Sequence, residues 1–302
     1  MCERGPVMKD VYGRLEEDFD LRGLSARSRK AYLGAVRQLG KHCGRALDKL
    51  GDEEVRGYFL HLIDVRRVSP STVNQQLYAI KFLFEITLKR RLPCLKTIRP
   101  KKSRKLPVVL SVPEVRAILR RIRAARIRAC MTAIYSCGLR LMEGTHLKAA
   151  DIDGDRMFLR VESGKGDKDR YVPLPSRTLL LLREYWRNDR PLHVAEFPAS
   201  RAGLSPPDAL FPAGTADGVV GPRSVQRAIK LAVAQCGIQK KATVHTLRHS
   251  YATHLLERGV PLPVIQKVLG HSSARTTLVY THLTEPSICR VRETIDELMA
   301  DL

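Results

Sequence analysis

The sequence predicts a mainly α-helical protein with one small antiparallel β-sheet, divided into two domains. Apolar residues recur at spacings of three and four through residues 10–92 and through most of the C-terminal part, which is typical of packed helices. Two short strand-like runs, at about 157–162 and 170–174, flank a turn-forming segment rich in Gly and Asp. A chain of 302 residues is long enough for two domains that each bury a core.

The N-terminal part, residues 1–92, is predicted to be a helical domain. Ser25, Asp52 and Ser69 each stand at the start of an apolar pattern, and short polar residues are favoured where helices begin. Two further acids follow Asp52, which suits the positive end of a helix dipole. The apolar positions of these helices are Tyr32, Val36, Leu39, Val55, Tyr58, Phe59, Leu62, Val73, Leu77, Ile80 and Phe84.

Residues 108–302 are predicted to form the second domain. Ser111 and Glu114 have the spacing of a capping box, so helices are expected from there to about residue 150, before the two strands. Residues 189–222 are rich in Pro, Gly and Ala and are predicted to be a long loop. Helices are expected to resume at Ser224. In the last of them, 286–302, apolar residues at spacings of three and four predict an amphipathic helix.

The charge of the chain indicates a polyanionic partner. There are 53 Lys and Arg against 31 Asp and Glu, a net charge of +22. Residues 1–100 account for +8 and the remainder for +14, so both domains are basic. Binding of cations to nucleic-acid phosphates releases condensed counterions, which favours association.

A membrane surface is the competing partner for a basic chain. No apolar run approaches the roughly 18–20 residues that span a bilayer, and the N-terminus has no apolar signal region, so no membrane association is expected. The seven cysteines form no Cys-x-x-Cys pair. This count and spacing favour unpaired thiols and a cytoplasmic location over a disulfide framework or a zinc site.

A basic linker, residues 93–107, is predicted between the domains. The stretch from Lys89 to Lys105 contains nine Lys or Arg, two prolines and no acid. Two roles stay open, a solvated hinge and a basic strap that crosses the backbone of DNA. The predicted DNA contacts are Lys89, Arg90, Arg91, Arg99, Lys101, Lys102, Arg104 and Lys105.

The candidate chemistry begins with two basic pairs. His245 and Arg248 lie one helical turn apart, and Arg140 and Glu143 share a helix face at i, i+3. Arg suits a phosphate clamp because its planar guanidinium makes bidentate hydrogen bonds to phosphate oxygens. His suits proton transfer at neutral pH. Taken alone, an Arg-x-x-Glu pattern is more often a surface pair.

Three further positions complete the candidate set. Lys165 lies in the turn between the predicted strands, His271 follows Gly270, and Tyr280 stands nine residues beyond His271. A tyrosine is a workable nucleophile only where neighbouring groups assist loss of its proton, since its reference pKa is about 10. By itself, a Tyr that follows Leu-Val is more often a core residue.

Two other interpretations of these residues fail because a required residue type is missing. His245 and His249 stand at i, i+4 like a zinc pair, but Thr246 occupies the position where a zinc protease has Glu. The Gly-Lys-Gly around Lys165 superficially suggests a phosphate-binding loop, but Gly166 stands where Ser or Thr is required. No metal or cofactor is therefore predicted.

The order and spacing of these residues resemble the tyrosine recombinase (phage integrase) family. The resemblance is carried by Gly138-Leu-Arg-Leu-Met-Glu143, the Gly-Lys-Gly turn, His-x-x-Arg, Gly-His and Tyr280, and covers about residues 108–285. It implies that Tyr280 is the nucleophile and that Lys165 protonates the leaving 5′ oxygen. The implied phosphate-binding and supporting residues are Arg140, Glu143, His245, Arg248 and His271. Lys168 and Arg170 are predicted to contact the DNA backbone.

The family resemblance implies a two-domain DNA clamp that cuts and rejoins DNA through a 3′-phosphotyrosine, without ATP or metal. It implies double-stranded DNA as partner and a homo-tetramer on two duplexes, formed from monomers or dimers. Helix 286–302 either packs on its own domain or docks on a neighbouring protomer. Two alternatives stay open: a type IB topoisomerase and a catalytically silent DNA-binding protein. The DNA target sequence is not predicted.

Overall fold

The structure is a computed structural model that describes residues 11–100, 107–162, 169–195, 208–215 and 217–270. It divides into two compact units, residues 1–105 and 106–302. Within the described ranges the chain is mainly helical, with one three-stranded antiparallel sheet in the second unit. The predicted fold class is confirmed.

The first unit is helical throughout its described part. Two of its helices, Asp52–Leu60 and Pro70–Lys81, continue into a wider π-helical turn, at His61–Val65 and Phe82–Thr87. The helices are α1 Val11–Leu21, α2 Ala26–Cys43, α3 Asp52–Leu60, α4 Pro70–Lys81 and α5 Cys94–Thr97.

The predicted helix starts in the first unit are confirmed. The hydroxyl of Ser25 accepts a hydrogen bond from the Ser28 amide at 3.3 Å, and Ser69 caps α4 in the same way. Pro70 occupies the first position of α4, where its missing N–H costs no intrahelical bond. α3 begins at Asp52 with three acids in its first turn.

The core of the first unit extends beyond the predicted boundary at residue 92. Leu92, Cys94 and Leu95 are buried in the same apolar cluster as the helices α1–α4. The prediction that residues 93–107 form a linker without core contacts is therefore wrong for Cys94 and Leu95. The error has a physical reason: a few apolar residues stand among basic ones here, and the apolar side chains pack while the basic ones remain in solvent.

The second unit packs five of its helices against one helix, Ala125–Ser136, and contains the three-stranded sheet. The sheet has the order β1-β2-β3, and the register pairs Leu159 with Val172 and Val161 with Arg170. Its elements are α6 Val112–Arg121, α7 Ala125–Ser136, α8 Leu141–Thr145, β1 Ile152–Asp153, β2 Phe158–Val161, β3 Arg170–Pro173, α9 Ser176–Asn188, α10 Arg190–Ala195, α11 Pro222–Gln235, α12 Val244–Glu257 and α13 Leu262–Leu269.

Some elements of the second unit were predicted from the sequence and others were not. The capping box at Ser111 is present, since Ser111 N donates to Glu114 Oε2 at 2.7 Å, and both predicted strands lie within a residue or two of β2 and β3. The two-residue strand β1 was too short to give a pattern. The predicted loop 189–222 is wrong at its start, where α10 forms. The described residues between α10 and α11 contain no helix, but Phe211 and Val220 are buried in the core.

None of the helices in the described ranges has the length and apolar character needed to cross a bilayer. The cysteines of these ranges are free thiols, and three of them lie buried: Cys94, Cys130 and Cys137.

Candidate active site

The site is built on a sharp turn between α7 and α8. Gly138 has φ +62°, in the left-handed region that favours glycine, and Arg140 follows in extended conformation at the N-cap of α8. The Glu143 carboxylate closes the turn by accepting a hydrogen bond from the Arg140 amide at 2.7 Å. The turn therefore brings Arg140 and Glu143 onto the same side of the short helix.

Another helix, α12, also approaches closely at Gly138. A Cβ at this position would lie 2.6 Å from a ring carbon of Tyr251, on α12. We expect Gly138→Ala to destabilise the second unit, since left-handed backbone costs about 1–2 kcal/mol for an L-residue and overpacking adds about 1–3 kcal/mol. Urea unfolding of this variant would measure the sum.

Gly237→Ala is the matched control for Gly138→Ala. Gly237 has φ +67° in the same unit, but a Cβ there would meet nothing within 4 Å. Gly237→Ala therefore introduces the backbone strain without the overpacking. Equal destabilisation by the two substitutions would contradict the close contact between α12 and the Gly138 turn.

Glu143 is the centre of an arginine cluster. Its side chain is only 6% exposed, and each of its oxygens accepts one hydrogen bond from Arg170, at 2.9 and 2.8 Å. Arg140 Nη1 donates to Oε1 at 2.6 Å, and Arg248 Nη1 lies 3.8 Å from Oε2. Arg140, Arg170 and Arg248 come from three different elements, so one carboxylate holds them together.

The cluster keeps Glu143 ionised. Burial alone would raise the pKa of this carboxyl. The hydrogen bonds from Arg170 and from the amide and side chain of Arg140, with the charge of Arg170, instead lower that pKa to about 2. Glu143 is therefore an anion throughout the neutral pH range. It orients the arginines and is not a proton donor.

The C-terminus of α13 is the second shared acceptor of the cluster. Its last carbonyls lack partners within the helix and carry the negative end of the helix dipole. Each of three successive carbonyls accepts from a different arginine: Val268 from Arg170 Nε at 3.0 Å, Leu269 from Arg248 Nη2 at 2.6 Å, and Gly270 from Arg140 Nη2 at 3.0 Å. The helix thus ends against the guanidinium groups.

Gly270 makes this close approach possible. It ends α13 with φ +63°, and a Cβ there would lie 2.9 Å from Arg170 Cδ. Gly270 directly precedes His271 in the chain, so the arginines fix the point from which that segment begins.

Arg248 forms the buried side of the cluster. It lies on α12, whose N-cap is Thr243, and the residue is only 1% exposed. Besides the bond to Leu269, its Nη1 donates to the Gly138 carbonyl at 2.6 Å. Arg140 is more accessible, with 27% of its side chain exposed, so it presents the outer face of the cluster.

His245 lies one turn before Arg248 on α12 and reaches solvent. Partial desolvation by the surrounding protein, followed by the charges of Arg248 and Arg140, lowers the pKa of His245. Burial and the neighbouring His245 lower the pKa of His249 to about 4. The ring of His245 is therefore neutral near pH 7 and can accept a proton.

His245 and His249 pack against each other in a T-shaped arrangement with ring centroids 4.4 Å apart. Among the residues that the structure describes, no group of three or more His, Cys, Asp or Glu could hold a metal ion. Two nearby tyrosines pack within the unit: Tyr135 Oη is hydrogen-bonded to His254 Nδ1 at 2.9 Å, and Tyr251 packs on Gly138.

The structure brings together four of the predicted catalytic and supporting residues: Arg140, Glu143, His245 and Arg248. Other predicted positions lie outside the described residues. These are Lys165, His271 and Tyr280, the basic residues Lys101, Lys102, Arg104, Lys105 and Lys168, and helix 286–302.

The predicted DNA contacts within the described ranges have different surroundings. Lys89, Arg91 and Arg99 are exposed. The Arg90 guanidinium donates to backbone carbonyls of its own unit, at Leu50 over 3.1 Å and at Asp48. The role predicted for Arg170 is revised, because its side chain is only 10% exposed and its guanidinium faces Glu143 and Val268 rather than open surface.

The contacts of Arg170 with Glu143 and with the end of α13 were not predicted from the sequence. Its partners Glu143 and Val268 are 27 and 98 residues away in the chain, so no local spacing pattern joins them. The one available signal was the start of a strand directly after the turn, which fixes the direction of the side chain.

Family models match both units of the chain. The phage integrase family model matches residues 109–286, and the model of the phage integrase N-terminal SAM-like domain matches residues 11–94. The chain belongs to the phage integrase family. The predicted recognition and enzyme class, a tyrosine site-specific recombinase, are thereby confirmed.

Similar sequences and structures agree with this family membership. An integrase/recombinase of Escherichia coli is 36% identical over 316 residues, covering 95% of this chain and 94% of the relative. The tyrosine recombinase XerC of Xanthomonas axonopodis is 36% identical and covers 75% of this chain and 72% of the relative.

Solved structures share the architecture of this phage integrase family member. XerH bound to a palindromic difH substrate, in a post-cleavage complex, matches with a TM-score of 0.69 at 21% identity, covering 95% of this chain and 85% of that one. A lambda integrase dimer bound to a core site matches with a TM-score of 0.69 at 17% identity, covering 89% and 93%. At these identities the likeness shows the fold.

Proposed function

We propose that this phage integrase family member cuts and rejoins double-stranded DNA at specific sites through a 3′-phosphotyrosine on Tyr280, without ATP or a metal ion. The phenolic oxygen attacks the phosphorus, a bond to Tyr280 forms, and the bond to the 5′ oxygen breaks. That oxygen takes a proton and leaves as a hydroxyl. In rejoining, a 5′-hydroxyl attacks the phosphotyrosine and releases Tyr280.

The arginine cluster is the observation that carries this proposal. A pentacoordinate phosphate gathers negative charge on its equatorial oxygens, and preorganised guanidinium groups stabilise that charge. Arg140 faces outward from the cluster and is held by Glu143, so its geometry is set before DNA arrives. A fixed cation needs no reorganisation at the moment of reaction, which is why it lowers the barrier.

Arg248 is the second arginine that we propose binds the phosphate. Because it is almost fully buried, it bonds to a phosphate only after the groups that cover it move. Until then the carbonyls of Gly138 and Leu269 hold it in position. We therefore expect DNA binding to increase the exposure of the α13 end in hydrogen exchange.

His245 is placed to handle the proton of the nucleophile. Its lowered pKa leaves the ring neutral near pH 7, and a neutral imidazole accepts a proton from a phenol. Lys165 is proposed as the acid for the leaving oxygen and His271 as a further phosphate contact, as the family resemblance implies.

The proposed partners follow from the family and from the charge. The structural relatives XerH and lambda integrase are bound to DNA, and the net charge of +22 suits the same partner here. We propose that four copies assemble on two duplexes and that helix 286–302 takes part in this assembly. We also propose that the protein is cytoplasmic and belongs to a mobile element.

The proposal is tested with a nicked duplex that carries a sequence selected from random DNA by the protein itself. Loss of the short fragment beyond the nick prevents rejoining, so a covalent intermediate accumulates. We expect a denaturation-resistant adduct in EDTA without ATP, retaining a label placed 5′ of the cleaved bond. No adduct on a duplex that the protein binds specifically would favour a silent DNA-binding protein, and an adduct on any sequence would favour a topoisomerase.

A further inference from the structure

The Arg170 guanidinium makes three hydrogen bonds within the arginine cluster. Its two terminal nitrogens bond to the two oxygens of Glu143, and its Nε bonds to the carbonyl of Val268. At 10% exposure its side chain is less accessible than that of Arg140. Its guanidinium therefore faces protein groups on α8 and α13 and has little surface to offer a ligand.

Arg170 joins three elements of the second unit, β3, α8 and α13. It is the first residue of β3 and pairs with Val161 of β2, so its backbone is fixed by the sheet. Its side chain reaches Glu143 on α8 and the end of α13. The hairpin, the turn that carries Arg140, and the residue that precedes His271 are thus connected through one side chain.

The bidentate bond between Arg170 and Glu143 also limits the bonds that the Arg140 guanidinium makes. Arg170 occupies both oxygens of Glu143, and the Arg140 guanidinium makes one bond to this carboxylate and one to the Gly270 carbonyl. Bidentate pairing is the preferred geometry between a guanidinium and a carboxylate. Without Arg170, the strongest available partner for Glu143 is Arg140, and a second bond would draw Arg140 inward.

We propose that Arg170 is a positioning residue of the recombinase site. By saturating Glu143 and holding the end of α13, it keeps the Arg140 guanidinium directed toward the phosphate. Arg170 does not itself contact DNA. This inference rests on the function proposed above, and it assigns to Arg170 a role in the rate of strand cleavage rather than in DNA affinity.

The test compares DNA affinity with single-turnover cleavage for Arg170→Gln and Arg170→Lys. A misplacement of about 1 Å at a reacting centre costs ~10²-fold in rate, so we expect a loss of that order for Arg170→Gln at saturating DNA. The dissociation constant should stay within about threefold of wild type, because no phosphate contact is removed. Arg170→Lys keeps the charge but not the bidentate geometry and should fall between.

Arg160→Gln is the matched control. Arg160 lies on the neighbouring strand β2 and pairs with Asp151 and Glu162, not with Glu143. We expect its cleavage rate to equal that of wild type. A double variant, Glu143→Gln with Arg170→Gln, should cleave about as slowly as Glu143→Gln alone, because Arg170 acts through the same carboxylate.

Several outcomes would overturn the inference. Cleavage by Arg170→Gln within threefold of wild type would remove the positioning role, and a loss of DNA affinity parallel to the loss of rate would restore a direct DNA contact. If Arg170→Gln does not fold, Arg170→Lys decides: a wild-type rate contradicts the inference and a reduced rate with normal affinity supports it. Absence of any adduct with the wild-type protein would instead refute the proposed function.

Discussion

Replacement of Tyr280 by Phe is expected to abolish the covalent protein–DNA adduct while leaving DNA binding intact. The substitution removes one oxygen atom, the one that would form the bond to phosphorus. Loss of a nucleophile lowers turnover by up to about 10⁶-fold, so the adduct should disappear from a gel assay altogether. DNA affinity should change by less than about twofold, because the cationic groups are untouched.

The matched control is Tyr251→Phe. Tyr251 lies on α12 beside the Gly138 turn, close to the same cluster. Its burial raises its pKa to about 12, which disfavours the phenolate that attacks phosphorus. We expect Tyr251→Phe to form the adduct. If Tyr251→Phe instead lost the adduct and Tyr280→Phe kept it, Tyr251 would be the nucleophile and Tyr280 would not.

Replacement of Glu143 by Gln is expected to weaken both stability and cleavage. The substitution leaves the guanidinium groups of Arg140, Arg170 and Arg248 close together without the buried carboxylate that compensates them. Breaking a buried ion pair costs about 3–5 kcal/mol. Since Arg140 also loses its orienting bond, we expect single-turnover cleavage to fall by ~10²-fold. Urea unfolding and cleavage at saturating DNA measure the two effects.

The pH dependence of stability supplies an independent check on Glu143. Its pKa is lowered from the ordinary value of 4.5 to about 2, so its stabilising contribution is fully present above about pH 4.5 and disappears as the pH falls towards 2. The difference in unfolding free energy between wild type and Glu143→Gln should therefore shrink over this range. A difference that stays constant down to pH 2 would contradict the charged cluster.

The sequence predicted those parts of the site that follow local rules. His245 and Arg248 share a helix because they stand one turn apart, and Arg140 and Glu143 come together because Gly138 permits a left-handed turn before α8. The capping box at Ser111 and the hairpin strands likewise depend on neighbours in the chain. Family resemblance then assigned chemistry to these residues.

The parts that the sequence did not predict depend on contacts across the fold. The carbonyls of Val268, Leu269 and Gly270 serve as acceptors because the end of α13 meets the arginines in three dimensions. Every residue has a backbone carbonyl, so a pattern of residue types does not indicate which carbonyls accept these bonds. The burial of Arg248 has the same origin, since a charged residue is predicted to be exposed unless its partners are known.

The central claim, that Tyr280 carries the DNA during strand exchange, is tested most directly by locating the bond itself. After adduct formation on the nicked duplex, nuclease and trypsin digestion leaves a nucleotide on one peptide, which mass spectrometry identifies. We predict the nucleotide mass on peptide 276–290, in which Tyr280 is the tyrosine. Attachment to a peptide that contains Tyr135, Tyr171 or Tyr251, or to a serine, would contradict the claim.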